Sequence, residues 1–149
     1  MRAVCQRVAR ASVSVNGQTI ARIGAGWAIL LGIGPSDTES VAAVLADKIA
    51  GLRVFEDEGG RMNLDAAVAG AEFLVVSQFT LYADVSRGRR PGFTGAAPPA
   101  VAEPLVERFA ALLRGRGFRV ETGRFGARMA LELTNDGPVT IVLSDDGWS

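Results

Sequence analysis

The stretch ASVSVNGQTIARIGAGWAILLGI, residues 11–33, decides the fold class. Ala11, Val13 and Val15 alternate with Ser12 and Ser14, the period of two expected of a strand with one buried face. Asn16-Gly17 supplies the pair favoured by a tight type I′ turn, and residues 19–23 read as the return strand. Residues 27–33 are apolar almost without a break, which predicts a strand buried on both faces. Ser36-Asp37-Thr38-Glu39 follows, with Ser36 and Glu39 at capping-box spacing. Beyond it Val41, Val44, Leu45, Ile49 and Leu52 recur at helical spacing, predicting a helix over 38–53.

Outward from this block the pattern is repeated more loosely. Residues 56–63 are polar and contain glycine, hence a loop. Residues 72–76 form another apolar strand that runs into Ser77-Gln78-Phe79-Thr80-Leu81. Residues 84–99 carry Gly, Pro and three Arg without periodicity, a long surface loop of the kind that is often functional. Pro98-Pro99 fits the opening of a second helix with Val101, Leu105, Phe109, Leu112 and Leu113 as its apolar stripe. Gly115 and Gly117 end it. Three strands close the chain, over 118–122, 129–133 and 139–143, with Asn135-Asp136-Gly137-Pro138 joining the last two. The expectation is one α/β domain over 1–149, with a mixed, largely antiparallel sheet system in layers and two main helices.

Composition removes the familiar catalytic machinery. The chain has 149 residues, sixteen basic against sixteen acidic, no His and a single Cys, Cys5. A Ser-His-Asp or Cys-His site is therefore impossible within it, and so are a Cys/His zinc site and an intrachain disulfide. Arg2, Arg7 and Arg10 interrupt any apolar stretch at the N-terminus, so no export signal can be drawn there. The most apolar run, 24–34, falls far short of the ~20 residues that span a bilayer. A cytoplasmic protein without a membrane role is expected, and neither metal nor cofactor is implied.

Several segments carry chemistry, each against a plainer alternative. Cys5 reads as a small buried hydrophobe, since a reactive thiol would want a base. Glu56-Asp57-Glu58 reads as a solvated loop rather than a cation site. Arg87-Gly88-Arg89-Arg90, and Arg114, Arg116, Arg119 and Arg124 near the end of the second helix, suit phosphate contacts or a solubilising surface equally well. Ser77-Gln78-Phe79-Thr80 brings hydroxyls and an amide to the end of a buried strand, where ligands commonly bind. Backbone N–H groups there could hold an oxyanion, or the hydroxyls could merely satisfy backbone groups. Gly137-Pro138 is either a tight turn or a site of close approach, whose X-Pro bond can be cis at a cost of only ~0.5–1 kcal/mol.

The last two segments, Ser77-Gln78-Phe79-Thr80-Leu81 and Asn135-Asp136-Gly137-Pro138-Val139-Thr140, resemble the two signature motifs of the D-aminoacyl-tRNA deacylases. The opening MRAVCQRV, Gly88-Arg89-Arg90-Pro91 and Thr122-Gly123-Arg124-Phe125-Gly126-Ala127 are similar as well, so the likeness spans essentially the full chain. It implies a homodimeric α/β hydrolase acting on the ester that joins a D-amino acid to tRNA. By that resemblance Gly137 and Pro138, through a cis bond, form a chirality gate that each subunit inserts into its partner's site. Ser77, Gln78, Phe79 and Thr80 line the pocket around the aminoacylated 3′ adenosine. Arg7 holds the Gly-Pro segment, Met129 contributes to the pocket wall, and Asn135 belongs to the gate segment. Glycyl-tRNA should leak through such a gate. Two mechanisms follow: Thr80 as nucleophile, or the ribose 2′-hydroxyl as the activating group. The second suits a chain without His. The competing class is a nucleic-acid-binding dimer with no turnover.

Overall fold

A computed structural model describes residues 1–147; residues 148 and 149 of the expected domain lie outside the described residues. The chain opens on a 14-residue strand, β1 (Arg2–Val15), far longer than the alternation over 11–15 alone predicts. The turn at Asn16-Gly17 (φ 51° and 76°) returns it into β2 (Gln18–Ile23) and β3 (Gly26–Gly32). These two strands share one edge of β1. β2 pairs with its second half, Ala11 facing Ile23, and β3 with its first half, Cys5 facing Ile29. Parallel to β3 runs β6 (Glu72–Ser77), followed in the sheet by β7 (Val120–Thr122).

Strict alternation then builds two cores. Trp27, Ile29, Leu31, Phe73 and Val75 face the helices α1 (Glu39–Gly51) and α3 (Pro99–Gly115). Ala28, Leu74 and Val76 face the other way, against Val8, Ala11, Val13, Ala21 and Ile23 from the half of the hairpin that folds over the sheet. A strand buried on both faces is thus explained by a helix layer on one side and a second strand layer on the other. Among the described residues no helix is long and apolar enough to cross a membrane.

Four expectations are corrected. The two closing strands are one, β8 (Ala130–Ser144), because both halves pair with the same long β1 and the chain never needs to reverse. Asn135-Asp136-Gly137-Pro138 is a bulge within it: Val8 faces Asn135 and Gln6 faces Thr140, so Arg7 alone opposes four residues, 136–139. The 56–63 loop contains a small hairpin, β4 (Phe55–Glu56) with β5 (Met62–Leu64), and the four-residue helix α2 (Ala66–Ala69) follows. Asp57 closes that hairpin by accepting from Gly59 N (2.9 Å) and Arg61 N (3.0 Å), which gives the acidic run its structural role.

The fourth correction concerns the start of α1. Its N-cap is Thr38, whose Oγ1 accepts from Val41 N at 3.4 Å, and not Ser36. The reason lies in Asp37, whose carboxylate accepts from Gly34 N (2.6 Å) and from the Met1 ammonium (2.6 Å). That ties the preceding turn to β1 and leaves Ser36 exposed outside the helix.

Glu72 and Gly26 lock the sheet where β2 passes into β3. Oε1 of Glu72 accepts from Gly24 N at 2.9 Å, and its Oε2 accepts from Arg119 Nη1. The Arg119 hydrogen bond holds the Glu72 carboxyl below its ordinary range. A group with a lowered folded value stabilises the fold at neutral pH and loses that contribution as pH falls through the folded value. The stability gap between the parent and Glu72→Gln, followed by urea unfolding, is therefore expected to be full at pH 7 and to shrink as pH falls below the ordinary glutamate range. At Gly26 an added Cβ would lie 1.9 Å from the Glu72 carbonyl oxygen. Gly26→Ala should force β3 and β6 apart and cost about 3 kcal/mol or more in the same measurement.

Candidate active site

The parallel pair β3 and β6 delivers residues 77–80 to the carboxyl end of the central strands, where open sheets of this type bind ligands. The Gln78 N–H donates to Leu31 O (2.8 Å), which continues the parallel ladder one step beyond the strand. A 3₁₀ turn, Phe79–Tyr82, follows at once. It is pinned from β1: Arg2 Nη1 donates to Leu81 O (2.8 Å), and the Arg2 guanidinium lies 4.2 Å from the centre of the Tyr82 ring.

A cavity of about 630 Å³ opens beside this turn. Ser77, Gln78 and Phe79 form one wall, Phe93 and residues 96–99 a second, and Phe125, Ala127 and Met129 a third. No ionisable side chain is among the lining residues. Phe79 is 54% exposed and meets Phe93 edge to face, with ring centres 5.0 Å apart. Gly123 makes room for Met129, since a Cβ there would lie 2.6 Å from its Sδ.

Of the residues singled out in the sequence, Ser77, Gln78, Phe79 and Met129 meet in this cavity. Thr80 is exposed beside it on the turn, and its hydroxyl is contacted by the Gln78 carboxamide, which is not a base. The first N–H groups of a helical turn precede its first internal hydrogen bond, so those of Phe79 and Thr80 have no acceptor within it. Phe93, Pro98 and Phe125 were not singled out as site residues: the first two lie in the 84–99 loop, whose aperiodic sequence gives no wall positions, and Phe125 was quoted only within the family-like segment 122–127. Cys5 is fully buried, and burial pushes its thiol up to about 12, so it is no nucleophile. Among the described residues no three His, Cys, Asp or Glu side chains gather as metal ligands would.

Arg7, Asn135, Gly137 and Pro138 occupy a second locus, the seam between β1 and β8, and none of them lines the cavity. The Gly137-Pro138 peptide is cis, and Asn135, Gly137 and Pro138 are exposed. Beneath them Arg7 is only 3% exposed. Its Nε donates to Asp136 O (3.0 Å) and its Nη1 to Val54 O (2.6 Å), with the Glu56 and Asp136 carboxylates at 3.7 and 3.5 Å. Gly137 has φ +118°, a backbone state that favours glycine, and an added Cβ would stand 2.7 Å from Arg7 Nη2.

Comparison with known proteins gives both loci a setting. The family model described as D-Tyr-tRNA(Tyr) deacylase matches residues 4–144. A D-aminoacyl-tRNA deacylase of Symbiobacterium thermophilum is 56% identical over 146 residues, covering 98% of this chain and 97% of the relative. One from Roseiflexus sp. is 59% identical over 143 residues, covering 96% and 92%. Among solved structures, a c-Myc DNA unwinding element binding protein is 44% identical, with a TM-score of 0.91 over 97% of this chain and 99% of that one. A probable eukaryotic D-amino acid tRNA deacylase shares the fold, with a TM-score of 0.84 over 95% and 97% at 19% identity. With a family model spanning both loci and relatives more than half identical along nearly their whole length, the chain belongs to the D-Tyr-tRNA(Tyr) deacylase family.

Proposed function

We propose that this protein hydrolyses the ester bond of D-aminoacyl-tRNA in the cytoplasm, and that it works as a homodimer in which residues 137 and 138 of one copy enter the cavity of the other. Water adds to the ester carbonyl, the bond to the ribose oxygen breaks, and the products are a free D-amino acid and tRNA. The observation that carries the reading is the separation of the two loci. A Gly-Pro bulge held rigidly by a buried Arg7 projects from the seam, while the uncharged cavity lies elsewhere on the same chain. Each locus lacks what the other provides. A second copy supplies it, and β8 offers the surface: its outer edge is unpaired among the described residues, and Leu133 and Val142 on it are 37% and 38% exposed.

Selectivity follows from exclusion. Rigid backbone carbonyls of the inserted segment occupy the volume that an L side chain needs, while a D side chain points away. Rejecting the wrong enantiomer by clash requires no recognition of individual side chains, and glycine, with nothing to exclude, passes.

The chemistry is assigned to the substrate's own 2′-hydroxyl, which activates water or assists departure of the neighbouring oxygen. The protein contributes positioning, and the N–H groups of Phe79 and Thr80 receive the oxyanion. Thr80 has a carboxamide neighbour and no base, which disfavours it as nucleophile.

Single-turnover hydrolysis tests the reading. D-Tyrosyl- and glycyl-tRNA should lose their ester and L-tyrosyl-tRNA should not. A 2′-deoxy terminal adenosine should slow the reaction at least about 100-fold, with Thr80→Ala retaining most of the rate. Abolition by Thr80→Ala with normal turnover of the deoxy substrate overturns the mechanism. Loss of no ester at all leaves a nucleic-acid-binding dimer; DNA binding is what the name of the 44% identical structure states for that protein. Gly137→Ala, which drives a methyl into the Arg7 guanidinium, should narrow the D-to-L rate ratio by about tenfold or more.

A further inference from the structure

The protein has fifteen arginines, and their hydrogen bonds divide them sharply. Six donate hydrogen bonds to acceptors of the protein itself, and a seventh, Arg108, pairs with Glu39 at 3.6 Å. The group at the end of α3 is among these: Arg114 donates to Val120 O (2.9 Å), Arg116 to Asp47 (2.6 Å), and Arg119 to Glu72 and Glu121. That patch is structural. The other eight make no such bond among the described residues, and five of them fall on two short segments: Arg87, Arg89 and Arg90, and Arg124 and Arg128.

Both segments adjoin residues that line the cavity. Arg124 adjoins Phe125, and Arg128 stands between Ala127 and Met129, all three of which line it. The first segment is the tip of a loop closed by paired bonds between Asp84 and Gly92, N to O at 2.7 and 2.9 Å, and Phe93 lines the cavity immediately after that closure. The Asp84 carboxylate accepts from Ser86 N (2.9 Å) at the base of the loop. All five guanidinium groups belong to exposed residues.

The arrangement is an uncharged cavity with a cationic rim on a protein of zero net charge. A cavity of that size takes a nucleoside ester, and the lack of charge inside means that phosphates stay outside it. Exposed arginines with no internal partner lose no existing bond when they take a phosphate, and their planar fork matches its oxygens. Resting on the reading above, we propose that Arg87, Arg89 and Arg90 on one side of the mouth, and Arg124 and Arg128 on the other, grip the phosphodiesters of the substrate's unpaired 3′ end. They are binding residues of the backbone and read no base.

Salt dependence of binding tests this apart from catalysis. The Kd for uncharged tRNA is measured between 50 and 200 mM salt. Each single-strand phosphate contact contributes about 0.7 to the log–log slope, so Arg89→Gln/Arg90→Gln should lower it by about 1.4, a sevenfold smaller change in Kd across the range. Arg124→Gln/Arg128→Gln should do the same. The corresponding double Lys variants should keep the slope, as should Lys48→Gln, which removes an exposed charge in the last turn of α1, where no residue lines the cavity. A tRNA lacking its last four nucleotides should show a reduced slope that the Gln variants no longer change. Parent slopes in both double Gln variants overturn the proposal, as does an unaltered effect of those variants on the truncated tRNA. A protein that passes here and leaves D-tyrosyl-tRNA intact retains the rim and refutes the hydrolase. Hydrolysis with unmoved slopes does the reverse.

Discussion

Everything at the seam of this molecule depends on one buried cation. Arg7 is placed by the alternation of β1 on a covered position, and a guanidinium there is costly unless its donors are met. They are met by the carbonyls of Val54 and Asp136 and by two nearby carboxylates, so a single side chain fastens β1, the start of the small hairpin and the bulge of β8. The bulge is thereby fixed as part of the sheet and is not a loose loop. The irregular register, four residues against one, needs something to fill the gap, and Arg7 fills it.

The layered α/β fold was legible because its decisive segments are periodic. The hairpin over 11–23, the doubly buried β3 and the stripe of α3 all follow from spacing alone. The failures share a cause. Gly-Pro reads locally as a turn, and nothing in residues 135–138 shows that a partner strand 129 residues away in sequence holds both flanks in one line. Ser36 has the cap pattern, yet Asp37 beside it is claimed by Gly34 and Met1, a tertiary demand that displaces the cap to Thr38. Met62 to Leu64 and residues 66–69 are too short to have a period.

The site was legible in half. The 77–80 segment and Met129 could be placed because a strand end is where side chains meet a ligand. The aromatic and proline walls come from aperiodic stretches whose proximity is created only by folding. The arginines show the limit most clearly: Arg114, Arg116 and Arg119 look in sequence as available as Arg87, Arg89 and Arg90. Only hydrogen bonding separates a charge that holds the protein together from one that faces outward.

The pairing of β1 with β8 also has a consequence for how the molecule comes into being. Contacts between residues this far apart in the chain form late and slowly, because the intervening loop must close first. Both cores can begin to assemble from the hairpin, β6 and the helices. The Asp136 carbonyl cannot reach Arg7 until the last strand has docked along the first. The part of the protein proposed to judge its substrate is thus complete only when the two ends of the chain have met, and a molecule in which they have not has no means of judging.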